Sequence, residues 1–154
     1  MHSADQRLAE LGITLPVPMA PVANYVPYVV AGRLVVVSGQ LPAVDGAVAV
    51  TGKVGGSVGV EQGQRAAQLC FINLLAHLRV ACGGDLGRVR RVVRLGGFIA
   101  SAADFTHHAT VMNGASDLAV AVFGEAGRHA RSTIGVPALP LDAAVEVEGM
   151  FEIE

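Results

Sequence analysis

One long segment of this chain has the apolar spacing of an amphipathic helix. Between residues 60 and 82, apolar side chains recur at intervals of three and four, at Ala67, Cys70, Phe71, Leu74, Leu75 and Leu78. This spacing gives a helix one apolar stripe, and such a stripe has to be buried against another layer. Glu61 favours the dipole of the first turn, and Gly83 with Gly84 supplies a stop. We therefore predict a helix over residues 60–82 that packs on a sheet.

Near the end of the chain the periodicity changes to that of a strand. Over residues 144–153, apolar and acidic side chains alternate, in the order Val145, Glu146, Val147, Glu148, Glu152 and Ile153. Alternation at a period of two is typical of a strand with one buried face. Further strands are predicted at residues 34–37, 47–50, 89–99 and 132–136, with the first two paired antiparallel. Gly96 and Gly97 indicate a bulge or a close approach within the third of these strands.

The remaining helical signals are weaker. Residues 3–11 form a short predicted helix with Ser3 as N-cap and Gly12 as its stop, and residues 13–27 form an extended arm because they hold four prolines. Residues 104–124 form a second long helical region that we predict to be interrupted near Asn113 and Gly114, with Ser116 and Asp117 as candidate caps of its later part. The order of elements predicts an α+β fold with two main helices on one face of a mixed sheet. We expect one domain over residues 1–154, with residues 1–27 as N-terminal helix and arm.

Composition narrows the classes of partner. Charged residues make up 16% of the chain and hydrophobic residues 52%, so we expect part of the apolar surface to lie in a subunit interface. No apolar run approaches the ~20 residues of a membrane span, and the N-terminus lacks the features of a secretory signal, so a cytoplasmic location is expected. The net charge of -2 disfavours nucleic acid. One basic cluster, formed by Arg88, Arg90, Arg91 and Arg94, is interpreted as surface residues that are solvated or paired with carboxylates.

Arg131 and Glu146 are the residues whose chemistry best suits a binding or catalytic site. Arg131 opens a strand beside a proline-bounded turn, and its planar guanidinium matches a carboxylate through two parallel hydrogen bonds. Taken alone, such an arginine is more often a surface ion pair. Glu146 and Glu148 project to the same face of a strand, which usually means a solvated face. A neighbouring subunit that covered this face would raise the pKa of a carboxyl and let it act as an acid or base.

Several other kinds of site are disfavoured. Among the five histidines, His107 and His108 are adjacent and would point about 100° apart on a helix, so we predict no metal. The glycines between residues 52 and 63 match neither a Walker loop nor a dinucleotide fingerprint. Ser38 is not in a Gly-x-Ser-x-Gly elbow, which leaves a serine hydrolase little support. Cys70 is interpreted as core packing.

Taken together, several short motifs resemble one family over most of the chain. The motifs are VVVSGQLP at residues 35–42, Arg131-Ser132, Leu139-Pro140 and Val145-Glu146-Val147-Glu148. They resemble the Rid family, also called the YjgF-type or L-PSP endoribonuclease family. Segments NYVP at residues 24–27 and NGASD at residues 113–117 resemble a less studied branch with longer chains. The resemblance implies a chorismate-mutase-like fold and a homotrimer with clefts between its subunits.

The resemblance also implies an activity and a set of residues. Members of the family hydrolyse reactive 2-imino or 2-enamino acids to 2-keto acids and ammonia, without a bound cofactor. By matching position, Arg131 would bind the substrate carboxylate, Glu146 would position or activate water, and Ser38 with the backbone of Gly39 would line the cleft. Asn113 matches the cleft asparagine of the family, and Thr133, a further candidate for substrate binding, stands where the family commonly has a cysteine two residues after the arginine.

The cleft tyrosine and the activity have alternatives. Tyr25 matches the family's cleft tyrosine if no gap is placed before the SGQ motif, and Tyr28 matches it if a gap is allowed. A trimeric protein that binds a small carboxylate without turnover would need Arg131 but has little use for Glu146. Ribonuclease activity is disfavoured by the acidic balance and by the absence of an aromatic and basic stripe.

Overall fold

The computed structural model describes residues 3–18 and 23–154. Its helices are α1 (Ala4–Glu10), α2 (Val60–Ala81) and α3 (His108–Phe123). Its strands are β1 (Tyr28–Ala31), β2 (Leu34–Gln40), β3 (Ala43–Val44), β4 (Ala47–Val48), β5 (Val89–Ala100), β6 (Ala130–Val136) and β7 (Val145–Ile153). Short 3₁₀ turns cover Leu86–Arg88, Gly124–Gly127 and Pro140–Asp142. The predicted long helix, the short first helix and the alternating last strand are therefore all present.

Five of the strands form a mixed sheet in the order β1-β2-β7-β5-β6. The edge strand β6 runs parallel to β5, and α3 makes the crossover between them, while the other neighbouring pairs are antiparallel. Helices α2 and α3 pack on each other and on the sheet. The predicted α+β architecture, with two main helices on one face of a mixed sheet, is confirmed.

The two faces of the sheet differ in burial. On the helix face, Val35, Leu95 and Val147 are fully buried under α2 and α3. On the opposite face, which we call the open face, Val36 and Ile134 are exposed, and Glu146 is only partly buried. Strand β7 alternates between buried and partly exposed side chains along its whole length, as its sequence predicted.

The predicted interruption of the second long helix is wrong. Helix α3 runs without a break through Asn113 and Gly114, so Ser116 caps nothing. A Cβ at Gly114 would overlap the backbone carbonyl oxygen of Gln64 in α2. The glycine is therefore present because two helix backbones approach closely, and this contact between distant segments outweighs the low helix propensity of glycine.

The predicted pairing of residues 34–37 with residues 47–50 is also wrong. Strand β2 pairs with β1 on one side and with β7 on the other, whereas β4 pairs only with the short β3. Strand β1 was missed because it follows the proline-rich arm. It joins β2 through a tight turn at Gly32, which has a φ of 61°. Part of the predicted arm, residues 19–22, lies outside the described residues.

The glycines of β5 have a different role from a bulge. The irregularities of register in this strand fall between Val89 and Arg91 and between Val92 and Arg94, not at the glycines. A Cβ at Gly97 would lie 2.5 Å from the Met112 sulfur of α3. The close approach was the correct alternative, and it seats α3 on the strand.

Candidate active site

Arg131 lies on the edge strand β6 and its side chain reaches α3. Its Nη1 donates to Asn113 Oδ1 at 2.9 Å and to Ser116 Oγ at 3.0 Å, and its Nη2 donates to the backbone oxygen of Ala109 at 3.3 Å. Asn113 and Ser116 are three residues apart, so they share one face of the helix. The structure thus brings together Arg131 and Asn113, which the sequence had matched to one site.

The guanidinium of Arg131 retains donors for a ligand. An arginine has five N–H bonds, and three of those on Arg131 are used by protein acceptors within the described part of the chain. The Nε–H and one Nη2–H are left, on a side chain that is only partly buried. Two donors in a fixed planar fork are suited to the two oxygens of a carboxylate.

Thr133 lies two residues beyond Arg131 and therefore on the same face of β6. Its hydroxyl oxygen is buried and has no hydrogen-bond partner among the described residues. An unpaired buried hydroxyl costs on the order of 1–3 kcal/mol, so a native example calls for an explanation. A ligand bound at Arg131 would supply one.

Glu146 lies on the open face. A Cβ at Gly39 would stand 2.6 Å from Glu146 Oε1, so the absence of a side chain at Gly39 makes room for the carboxyl. Burial raises the pKa of Glu146, and the negative charge of Glu148 raises it further. Glu148 itself pairs with Arg94 at 3.7 Å. The two acids of the motif therefore differ, because Glu148 is ion-paired and Glu146 is a partly desolvated carboxyl.

Ser38 and Gly39 form an irregularity in β2, where the register against β7 shifts between Val37 and Gln40. The Ser38 hydroxyl donates to the backbone oxygen of Val26 at 2.9 Å, and its amide donates to that of Pro27 at 2.8 Å. Ser38 thus fastens the segment before β1 to the sheet, a structural role that the sequence did not suggest.

The two candidate tyrosines have different surroundings. Tyr28 pairs with Val37 in the β1–β2 ladder and packs against the hydrophobic core. Tyr25 precedes the strand and is 58% exposed. A ligand approaching from solvent would therefore meet the side chain of Tyr25 more readily than that of Tyr28.

Within one chain the candidate residues form two groups rather than one site. Arg131, Asn113 and Thr133 lie on the helix-face side of the edge strand, whereas Gly39 and Glu146 lie on the open face. The family resemblance implied clefts between subunits, but the sequence did not show how the candidate residues divide into these two groups. It had also passed over Ser116 as a partner of Arg131, although its spacing from Asn113 was the available signal.

The other side chains considered from sequence have ordinary structural roles. Cys70 is buried, its Sγ donates to the Val145 oxygen at 3.5 Å, and burial raises its pKa well above the usual range. In the basic cluster, Arg90 pairs with Glu154 and Arg94 pairs with Glu148. Over residues 3–18 and 23–154, no three His, Cys, Asp or Glu side chains are grouped as metal ligands would be. No helix in those same ranges is long and apolar enough to cross a membrane.

The protein has an α+β fold with two helices on one sheet face and an arginine on the edge strand, and the adjacent helix accepts three of the five N–H bonds of that arginine. The chain belongs to the family described as "YjgF/chorismate mutase-like, putative endoribonuclease", whose model matches residues 5–153.

Individual relatives agree with this assignment. The chain is 48% identical to "Protein TCP17" of Trypanosoma cruzi over 147 residues, which cover 95% of this chain and 91% of that protein. A crystal structure of the protein Atu1372 from Agrobacterium tumefaciens, described as of unknown function, is 50% identical and superposes with a TM-score of 0.93 over 98% of this chain and 92% of that one. The structure of E. coli TdcF with bound serine is 25% identical and has a TM-score of 0.59 over 90% of this chain and 94% of that one.

Proposed function

We propose that the protein hydrolyses reactive 2-imino and 2-enamino acids to 2-keto acids and ammonia in clefts between the subunits of a homotrimer. The observation that carries the proposal is the state of Arg131. Asn113, Ser116 and the Ala109 carbonyl hold the guanidinium, and two N–H bonds are left for a substrate carboxylate. The serine named as the ligand of TdcF also carries a carboxylate, which agrees with this kind of substrate.

The chemistry requires little beyond positioning and one acid–base group. A 2-enamino acid first gains a proton at its β-carbon and loses one from nitrogen, which gives the imine. Water then adds across the C=N bond and gives a carbinolamine that carries OH and NH2 on one carbon. The hydroxyl proton passes to nitrogen, and the C–N bond breaks to release ammonia and leave the keto group. Holding the carboxylate fixed places the imine carbon in a constant position for this attack. Glu146 supports the proton transfers because its raised pKa brings it closer to neutral pH, where a general acid or base works best.

The separation of the two groups supports the association of subunits that the proposal includes. Arg131 and Glu146 leave the sheet on opposite faces, so a cleft containing both needs the edge strand of one subunit against the open face of another. The open face offers apolar surface for such contact, since Val29, Val36 and Ile134 are 51%, 41% and 53% exposed. The substrate would then bind between Arg131 of one subunit and Glu146 of its neighbour.

The same Arg131 also suits a protein that binds a small carboxylate without turnover. What favours the enzyme is Glu146, because a carboxyl with a raised pKa beside a bound anion would weaken simple binding. Ribonuclease activity has less support, because the chain carries a net charge of -2 and two of the arginines in its basic cluster are paired with carboxylates.

A coupled assay tests the proposal. A pyridoxal-phosphate dehydratase generates 2-aminoacrylate or 2-iminobutyrate, and release of the keto acid is followed with and without this protein. We expect the protein to accelerate release, Arg131→Ala to abolish the acceleration, and Arg65→Ala, a change at an exposed arginine of α2, to retain it. No acceleration together with calorimetric binding of pyruvate that depends on Arg131 would identify a binder. Neither acceleration nor binding would overturn both functions.

A further inference from the structure

Ser116 and His129 form a hydrogen-bonded pair of side chains next to Arg131. Ser116 Oγ lies 3.0 Å from Arg131 Nη1 and 2.9 Å from His129 Nε2. The other ring nitrogen of His129, Nδ1, lies 2.6 Å from the backbone oxygen of Gly127. These contacts form a continuous chain from a 3₁₀ turn through a histidine and a serine to the guanidinium.

The chemistry of each group fixes the direction of these hydrogen bonds. A carbonyl oxygen only accepts, so His129 Nδ1 carries the proton and donates to Gly127. In a neutral imidazole the remaining nitrogen is then an acceptor, so the Ser116 hydroxyl donates to His129 Nε2. The oxygen of Ser116 is left to accept from Arg131, which has only donors. Every donor in this series of hydrogen bonds therefore meets an acceptor.

The neutral imidazole that this order requires is also the favoured form. Burial lowers the pKa of His129, and the positive charge of Arg131 acts in the same direction, against the opposing effect of the Gly127 carbonyl. Neutral His129 orients the serine hydroxyl away from the guanidinium, so that a lone pair of Ser116 faces Arg131.

We propose that Ser116 and His129 are positioning residues that fix the orientation of the Arg131 guanidinium. The effect on substrate rests on the proposed function, in which Arg131 binds a carboxylate. With Asn113 and Ser116 each taking one proton of Nη1, the guanidinium plane is set, and the Nε–H and the free Nη2–H are kept in place for the ligand. Loss of Ser116 leaves one Nη1 proton without an acceptor and leaves only Asn113 and the Ala109 carbonyl to hold the guanidinium, so its orientation is less restricted.

A magnetic resonance experiment tests the positioning without any substrate. Long-range ¹H–¹⁵N spectra of the full chain, with the His129 signals assigned through His129→Gln, should show the tautomer protonated at Nδ1. The Arg131 side-chain N–H signals should be sharp in the wild type and broadened by rotation in Ser116→Ala. A His129 tautomer protonated at Nε2, or Arg131 signals unchanged by Ser116→Ala, would overturn the proposal whether or not the protein is a deaminase.

Kinetics test the consequence for substrate. We expect Ser116→Ala to raise KM about tenfold and to change kcat less than about twofold, as for the loss of one hydrogen bond to a charged group. Ser116→Thr, which keeps the hydroxyl, should restore KM. His129→Ala should raise KM, and His129→Gln, which offers an amide oxygen to Ser116, should restore part of the loss. His107→Gln at an exposed histidine serves as the control. Equal losses in Ser116→Ala and Ser116→Thr would show a packing role and contradict the inference.

Discussion

Arg131 and Glu146 lie on the two strands that flank β5, and their side chains leave the sheet on opposite faces. Arg131 is in register with Leu95 of β5, and Glu146 is in register with Phe98. Leu95 and Phe98 are three residues apart, so they and their partners point in opposite directions. The two residues that the family motif sets fifteen positions apart therefore do not share a site within one chain.

Mixing two inactive variants tests whether the clefts are shared between subunits. Arg131→Ala and Glu146→Gln should each lack deaminase activity. Trimers formed at random from equal amounts should recover about a quarter of the wild-type rate, because each cleft needs an intact Arg131 from one subunit and an intact Glu146 from the next. Each variant taken alone through the same unfolding and refolding is the control. No recovery in mixtures that size-exclusion chromatography shows to be mixed trimers would exclude shared clefts.

We expect that a positive charge at position 131 is not by itself sufficient for substrate binding. Arg131→Lys retains a positive charge but loses the planar fork and the bonds to Asn113 and Ser116. We expect kcat/KM to fall by about 10²-fold, which corresponds to roughly 2.7 kcal/mol of transition-state binding. Steady-state rates of keto-acid release would measure this. A lysine variant within threefold of the wild type would show that simple charge attraction is enough.

Glu146 should be needed for activity and should lower the stability of the folded protein. Its raised pKa means that the folded state favours the protonated carboxyl. The contribution of Glu146 to the free energy of unfolding is therefore full below the unfolded pKa and is lost as pH rises through the folded pKa. Glutamine does not ionise, so Glu146→Gln does not lose this stability as pH rises. We expect the Tm of the variant to exceed that of the wild type at pH 8 and the difference to shrink toward pH 4.

The matched control for that change is Glu152→Gln. Glu152 lies on the same strand and face as Glu146 but pairs with Arg33 at 3.5 Å. We expect no stabilisation at pH 8 from this variant, in differential scanning calorimetry at both pH values. A Tm of Glu146→Gln that lies below that of the wild type at pH 8 would contradict the assigned burial of the carboxyl.

The Thr133 hydroxyl, which has no partner among the described residues, should contribute to ligand binding and not to the stability of the fold. Thr133→Val replaces it with a methyl group of similar shape, which removes the cost of an unsatisfied buried oxygen. We expect the free energy of unfolding to stay equal or to rise by up to about 1 kcal/mol, while KM increases severalfold. Urea unfolding and steady-state kinetics on the same preparation would check both. A destabilised variant with unchanged KM would assign the hydroxyl to the fold.

Gly114 should be the most sensitive position on α3. Alanine there would force the backbones of α2 and α3 apart, because its Cβ overlaps the Gln64 carbonyl oxygen. We expect Gly114→Ala to cost about 3 kcal/mol or more, despite the higher helix propensity of alanine. At Gly59 the nearest atom to an added Cβ is 3.9 Å away, so Gly59→Ala should cost less than about 1 kcal/mol. Similar urea midpoints for the two variants would contradict the close approach.

The features of this fold that depend on local spacing could be predicted from the sequence. The apolar stripe of α2, the alternation of β7 and the capped α1 each follow from residues a few positions apart, and all three are present. The motif around Arg131 and Glu146 was also sufficient to indicate the family, because it consists of residue types at fixed positions.

Features that depend on contacts between distant segments could not be predicted in the same way. Gly114 looked like a helix break until α2 was seen to pack against it, and β2 found its partners in β1 and β7 rather than in the next strand of the chain. The alternation of β7 already places Glu146 on the face opposite its buried valines, whereas the placement of Arg131 against α3 depends on the pairing of β6 with β5 and on the helix that packs there. Register and helix approach are set by the packing of the whole core, so no window of the sequence contains them.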